Sequence, residues 1–309
     1  MLTVYRSEDD RLLEIAEATE AEKGDWFNLI NPSNEEILLA AKETGIYEEF
    51  LRYPLDDEEL PRVESEDDQI MIIVNIPVTG QGEVFYETMP LGIILNDDYI
   101  VTVCLEEFDF ASYMAKMKNK DMATFKKTRF IFQLLQRETN RYLRYLRDID
   151  RRHDVTEAAL RQNMSNEGLT TLSHLQKSLV YFTTALRSND KVMEKLMRTK
   201  TLKMYEEDRD LLDDVIIENR QAIEMADVYS NICRNTMDTL SSITSNNLNR
   251  IMNFLTIITI VVAVPTFITG FFGMNVPMPF SENPWTTLLI FVLCMTAGVC
   301  SFYLLKKMK

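Results

Sequence analysis

The chain has 309 residues, with 33 lysines and arginines against 48 aspartates and glutamates and a net charge of −15. That length allows two or three domains, and the apolar content is ample for a core. A surface so acidic repels nucleic-acid phosphates and attracts cations, which excludes nucleic acid as a partner; plain solubility would explain the same excess.

Cys104, Cys233, Cys294 and Cys300 are widely spaced and form no Cys-x-x-Cys, and His153 and His174 are not within ligand spacing of each other. This argues against disulfides and tight zinc coordination. Any cation site should use carboxylate or carbonyl oxygens, which suit hard ions. No phosphate-binding glycine loop is present, and no nucleophile, base and oxyanion set or metal-ligand cluster is visible, so an enzyme is not expected.

The N-terminus MLTVYRSEDD is acidic and has no apolar core of a signal peptide. Trp26 to Ile30 is a short apolar run stopped by Asn31-Pro32. Ser33 or Asn34 then caps a helix that opens with Glu35-Glu36, carries Ile37, Leu38, Ala40 and Ala41, and ends at Gly45. Ile70 to Ile76 and Met89 to Leu95 are β-rich, and Tyr99 to Cys104 follows an Asn96-Asp97-Asp98 turn. Residues 1–120 therefore read as an α/β domain.

From Asp121 to Arg250 there is no proline and a single glycine, Gly168, so 121–250 reads as a helical region. Breaks are predicted near Gly168 and near Thr199 to Leu202. Phe130 to Leu146 is amphipathic, and its basic cluster, Arg141, Arg144, Arg147, Arg151 and Arg152, reads as a solvated helix face rather than a phosphate or lipid site. A last helix from near Tyr205 to Phe272 would hold roughly 68 residues and measure about 100 Å. Its heptad positions Ala222, Ala226, Tyr229, Cys233, Thr236, Leu240, Ile243 and Asn247 are taken to continue the register of a polar stripe further on, as parallel copies around a hydrated axis would require.

No charged residue lies between Arg250 and Glu282, and the window from Asn253 to Phe272 is long enough to cross a hydrocarbon core. A second uncharged run, Trp285 to Leu305, ends at Lys306, Lys307 and Lys309. Residues 251–309 thus form a transmembrane hairpin. The basic residues flank its inner ends, which puts both termini in the cytoplasm of a cell membrane. Without the hairpin the chain holds 30 basic against 47 acidic side chains.

The first span is not a uniform anchor. Asn249, Met252, Thr256, Thr259, Ala263, Thr266 and Gly270 share one face, and the remaining positions are mostly Ile, Val, Phe and Leu. Threonines bonding their own helix and small residues letting helices pack would explain such a stripe. It ends, however, in Gly273-Met274-Asn275 at the outer boundary of the first of two C-terminal spans. Here the sequence resembles the CorA family of divalent-cation channels, whose signature is this tripeptide in this position. Leu55-Asp56-Asp57-Glu58-Glu59-Leu60-Pro61-Arg62-Val63-Glu64 is similar to a segment of the family's cytosolic domain. The sequence departs from the family after the asparagine: many members have Met-Pro-Glu-Leu, whereas here Val276-Pro277-Met278-Pro279-Phe280 follows and the acid comes at Glu282.

The resemblance implies an α+β membrane protein: an N-terminal cytosolic α/β domain and a long helical stalk continuous with the first of two C-terminal transmembrane helices, assembled as a homopentamer in lipid. It implies a magnesium channel driven by the membrane potential, with Gly273, Met274 and Asn275 as the selectivity filter. Asn249, Met252, Leu255, Thr256, Thr259, Ala263, Thr266 and Gly270 would line the pore. In Asp208-Arg209-Asp210-Leu211-Leu212-Asp213-Asp214, the place of Asp214 matches a family aspartate that binds regulatory Mg2+ between subunits, so Asp210, Asp213 and Asp214 are candidate regulatory ligands. An acidic helix start favoured by the macrodipole would look the same. The alternatives are a cobalt, nickel or zinc transporter of the same fold, and a non-conducting membrane-anchored scaffold.

Overall fold

The computed structural model describes residues 1–8, 11–80, 82, 84–106, 108, 110–116, 123–198, 202–274 and 285–307. The chain divides into two compact units, Met1–Thr236 and Met237–Lys309.

Seven strands, β1 (Leu2–Glu8), β2 (Arg11–Ile15), β3 (Trp26–Ile30), β4 (Arg62–Glu66), β5 (Gln69–Thr79), β6 (Tyr86–Leu95) and β7 (Ile100–Cys104), form one sheet in the first unit. Their order is β2-β1-β3-β7-β6-β5-β4, and β3 runs parallel to β7 while the other pairs are antiparallel. Helices α1 (Asn34–Thr44) and α2 (Glu48–Arg52) follow β3, and the short α3 (Phe110–Lys116) follows β7. The rest is helical: α4 (Lys127–Gln162), α5 (Asn166–Arg198), α6 (Glu206–Phe272) and α7 (Trp285–Lys307).

Helix α1 begins where its side chains offer a partner for the free backbone donors. The Ser33 hydroxyl accepts from Glu36 N and the Glu36 carboxylate accepts from Ser33 N, a capping box; Gly45 closes the helix in the left-handed conformation at φ 72°. The expected β3, α1, β5, β6 and β7 are all present. Strands β1, β2 and β4 are additional, and two of them are the sheet's edges, short and half-exposed, with no continuous apolar run to announce them.

The continuous apolar runs of β5 and β7 reflect burial of both sheet faces. On one face Met71, Ile73, Ile94, Val101 and Val103 pack with Ile37, Ala40, Phe50 and Leu51 from α1 and α2. On the other, Trp26, Ile72, Val74, Ile76, Leu91 and Ile93 pack with Phe110, Phe130, Leu134, Val192 and Leu212 from α3 to α6. Within that second core, Trp26 Nε1 donates to Thr102 Oγ1 (2.8 Å), and the Thr102 hydroxyl donates to Asn28 Oδ1 (2.9 Å), tying the parallel pair together. Gly92 faces the other layer, where a Cβ would lie 2.9 Å from Pro54 Cβ and closer still to Cγ. The absent side chain lets the turn after α2 settle on the sheet.

Pairing between β4 and β5 reaches only as far as Arg62 opposite Ile73, which leaves the edge of β5 open from Asn75 onward. Helix α5 closes it: Asn75 N donates to Asn189 Oδ1 (2.9 Å) and Asn189 Nδ2 donates to Asn75 O (2.7 Å), one side-chain amide standing in for the next strand. The expected break near Gly168 occurs at residues 163–165, and Gly168 itself lies in the first turn of α5. A Cβ there would sit 2.7 Å from Leu160 Cδ2, so its absence serves the close packing of α5 on α4 rather than the turn. Residues 199–201 of the second expected break lie outside the described residues; α5 ends at Arg198 and α6 begins at Glu206.

Replacing Asn189 by alanine would leave the Asn75 amide and one of its carbonyl bonds unmet in a half-buried place. We expect a loss of about 1–3 kcal/mol, read as a lower urea midpoint in the fluorescence of the buried Trp26.

Candidate functional site

In the second unit, α7 covers one row of α6. Ile257, Ile260, Val261, Val264, Pro265 and Ile268 are partly covered, as are Ile290, Ala297 and Ser301 of α7, whose Cys294 and Gly298 are buried. Pro265 has no N–H to give the carbonyl of Val261. Helix α7 comes close here: Cys294 Sγ is 3.9 Å from Pro265 O, and a Cβ on Gly298 would lie 3.6 Å from Pro265 Cγ and 3.9 Å from Val261 O.

All eight residues expected to line a pore, Asn249, Met252, Leu255, Thr256, Thr259, Ala263, Thr266 and Gly270, are exposed on α6. At about 100° per residue the stripe is centred roughly 140° around the helix from the row that α7 covers. The hydroxyls of Thr256, Thr259 and Thr266 donate to the carbonyls of Met252, Leu255 and Val262, each at 2.8 Å. Their protons are therefore committed inward, and their lone pairs remain as acceptors on the open side. Met252 and Leu255 are 65% and 62% exposed, two apolar side chains on the same open flank.

The helix ends at Phe272, and Gly273 N donates to Thr269 O (2.9 Å) to close its last turn. Gly273 and Met274 are exposed. Asn275 and the segment through Pro284, with Val276 to Phe280 and Glu282, lie outside the described residues.

At the other end of α6, Asp208 is buried and accepts from Tyr205 N (3.1 Å), so this member of the acidic run caps the helix. Asp210, Asp213 and Asp214 are exposed. One turn after Asp214, Glu218 accepts from Asn140 Nδ2 at 3.2 Å. Burial first and then the charge of Asp214 push the Glu218 carboxyl above its ordinary range, against the amide bonds from Asn140 and Gln136.

Three sequence readings need correction. The seam Ala222, Ala226, Cys233 and Thr236 does not face an axis: these residues are buried in their own chain, with Cys233 Sγ on Leu172 O (3.4 Å) and Thr236 Oγ1 on His153 Nε2 (3.2 Å). The step from Asn247 to Asn249 is two residues, which turns the stripe by roughly 200° and ends the register. Second, a cluster of metal-ligand types does exist. His153, Asp154 and Glu157 share one turn of α4 and bring ligand atoms within 4.8 Å of one another. Both ring nitrogens of His153 are already engaged, by Asp154 and Thr236, and Glu157 holds Arg161 at 2.7 Å, which makes the trio a bonded helix turn. Third, Arg141 is not solvated: its side chain is 12% exposed and pairs with the buried Glu138 at 2.9 Å. Arg151 and Arg152 do lie at the surface, paired with Asp148.

A raised carboxyl pKa means that Glu218 in its ionised form opposes folding above that pKa. Removing the neighbouring charge by Asp214→Asn relieves the opposition. The variant should melt higher than wild type near neutral pH, and the difference should shrink as the pH falls through the carboxyl range and vanish below about pH 3, where the carboxyls are protonated in both states.

A family model described as CorA-like Mg2+ transporter protein matches residues 21–307. The cobalt/magnesium transport protein CorA of Methanocaldococcus jannaschii is 28% identical over 292 residues, covering 91% of this chain and 90% of that protein. The complete structure of the CorA magnesium transporter from the same organism superposes with a TM-score of 0.86 at 25% identity, over 98% of this chain and 96% of that one. The full-length CmaX protein superposes at 0.76 with 16% identity, over 99% and 97%, which speaks for the fold alone. Helix α6 is long and apolar enough to cross a membrane, and α7 carries a shorter apolar stretch, Leu288–Tyr303. With the family model spanning nearly the whole chain, the protein belongs to the CorA-like Mg2+ transporter family, a family of membrane ion transporters and not of enzymes.

Proposed function

We propose that the chain is a channel for hydrated magnesium, driven inward by the membrane potential, in which several copies of α6 surround the axis. The observation that carries this reading is the open stripe of acceptor hydroxyls on the side of α6 away from α7, leading to Gly273-Met274-Asn275. One hairpin cannot enclose a pore, and the fit to a full-length CorA structure supports a homopentamer of the family type. Residues 1–120, 121–250 and 251–309 then act as cytosolic α/β domain, helical region with stalk, and transmembrane hairpin in a cell membrane, with both termini in the cytoplasm.

Magnesium gives up its water reluctantly. Asn275 carboxamides would take hydrogen bonds from the ion's first-shell waters loosely enough for release, where a carboxylate ring would hold too tightly. Thr266, Thr259 and Thr256 repeat neutral acceptors inward, with Ala263 and Gly270 leaving room between them. Met252 and Leu255 form an apolar constriction that closes by dewetting, and Asn249 receives the ion below it. The potential supplies about 4.6 kcal/mol for a divalent ion at 100 mV. Cobalt is the second cargo of this reading, since the M. jannaschii relative is named for both ions.

Regulation falls to the exposed face of α6 that carries Asp210, Asp213, Asp214 and the 58%-exposed Ile217. Facing acids of a neighbouring copy repel until cytosolic magnesium bridges them and favours the closed state.

In liposomes with a trapped magnesium dye and an inside-negative potential, wild type should admit magnesium and Asn275→Ala should fall to the level of empty vesicles. Equal entry in both would remove Asn275 from the filter; entry in neither would favour a tether or another metal. In the same assay, Asp213→Ala with Asp214→Ala should conduct while resisting inhibition by internal magnesium, and unchanged inhibition would remove the run from gating.

A further inference from the structure

Between the starts of α4 and α6 the first unit opens into a cavity of ≈760 Å3, a volume within the range of small-molecule sites. Its wall carries Lys126, Lys127, Arg129 and Lys203, although residues 1–250 hold 30 basic side chains against 47 acidic. Cations are gathered here against the trend of the surface. Of the three carboxylates in the wall, Asp208 is committed to Tyr205 N (3.1 Å) and Glu207 to Arg129 Nη1 (2.9 Å), leaving Glu206 exposed.

The cations are not spent in the same way. Lys126 and Lys203 are exposed, and among the described residues neither has an ion pair. Lys127 Nζ is held over the carbonyls of Asn96 (2.8 Å) and Asp97, and burial pushes its ammonium down from the ordinary lysine value. A bound anion would oppose that shift. The Nε of Arg129 is enclosed without a hydrogen-bond partner. Helix α4 begins here with no side-chain cap at Lys126, so the amides of its first turn, at the cavity residues Lys127, Thr128 and Arg129, are open to an anion.

Beside these groups stand two aromatic faces, Phe125 at 60% and Tyr205 at 81% exposure. Aromatic faces next to a cationic groove offer a planar base a stacking surface and its phosphates counter-charges. We propose that this cavity binds a nucleoside polyphosphate, with the phosphates on Lys126, Lys203 and the start of α4 and the base stacked on Tyr205. The phosphate chemistry alone could equally come from an inorganic polyphosphate, and Tyr205 is what distinguishes the two. Binding is read without ion flux, so it stands or falls separately from the channel reading.

The test is calorimetry of ATP and of tripolyphosphate on the full-length protein in detergent, in magnesium-free buffer. Wild type should bind ATP more tightly than tripolyphosphate. Lys126→Glu with Lys203→Glu, both exposed positions, should weaken each ligand about tenfold or more, with unchanged circular dichroism showing an intact fold. Tyr205→Ala should weaken ATP about fivefold or more and leave tripolyphosphate unchanged. Absence of ATP binding by wild type, or binding indifferent to the charge reversals, overturns the site. Equal binding of the two ligands, with Tyr205→Ala affecting neither, overturns the nucleoside and leaves a polyphosphate site only.

Discussion

Helix α6 has to satisfy different surroundings on different sides, and the rest of the second unit depends on how it does so. Hydrocarbon offers no partner to a hydroxyl or carboxamide, so each polar group on a membrane-length helix must be bonded within the protein or face water. The threonines give their protons to their own helix, yet their lone pairs, together with the Asn249 carboxamide, stay open on a side that α7 does not cover. Helix α7 lies along the row of Ile257, Val261, Val264 and Pro265 instead, against residues that lipid would have accepted. In the channel proposed above, the polar row would face water shared by several copies, and that would resolve the conflict.

The same helix is used differently at its start. Ala222 and Ala226 are completely buried, and polar clamps run along α6: Asn219 Nδ2 to Leu186 O (3.1 Å), Arg187 to Asp227 (2.6 Å) and Gln176 Nε2 to Ser230 Oγ (2.9 Å). Small side chains let α5 and α6 approach until such bonds form. Surface spent on α4 and α5 is no longer free to meet a neighbouring copy. In the assembly proposed above, copies would meet at this level through the opposite, exposed side, where Asp213, Asp214 and Ile217 lie.

Much of the architecture was legible because it is written in local pattern. The Ser33-to-Glu36 box and Gly45 bound α1, the apolar runs of β5 to β7 mark strands covered on both faces, and the proline-free stretch before Arg250 announces long helices. The charge gap from Arg250 to Glu282 marks the hairpin, and the Gly-Met-Asn tripeptide named the family ahead of any structure. Strands β1, β2 and β4 escaped notice because half-exposed strands with charged residues have weak periodicity, and their pairing rests on distant chain. The His153 turn escaped because spacing between histidines is silent about carboxylates one turn away.

Sequence alone determined the types of β3, α1, β5 to β7 and the long helices, the length of α6, the family and the polar stripe, since each is a property of residues within a few positions of one another along the chain. Tertiary structure decided which side of α6 is consumed by α4 and α5, that Asn189 substitutes for a missing strand beside Asn75, that Gly168 makes room for Leu160, and that four cations and two aromatic faces meet in one cavity. Except for Gly168 and Leu160, which meet across the turn between α4 and α5, each of these joins segments tens of residues apart. Periodicity tells a helix that it has an apolar or polar side but not which partner will meet it, and only the packed chain supplies that partner.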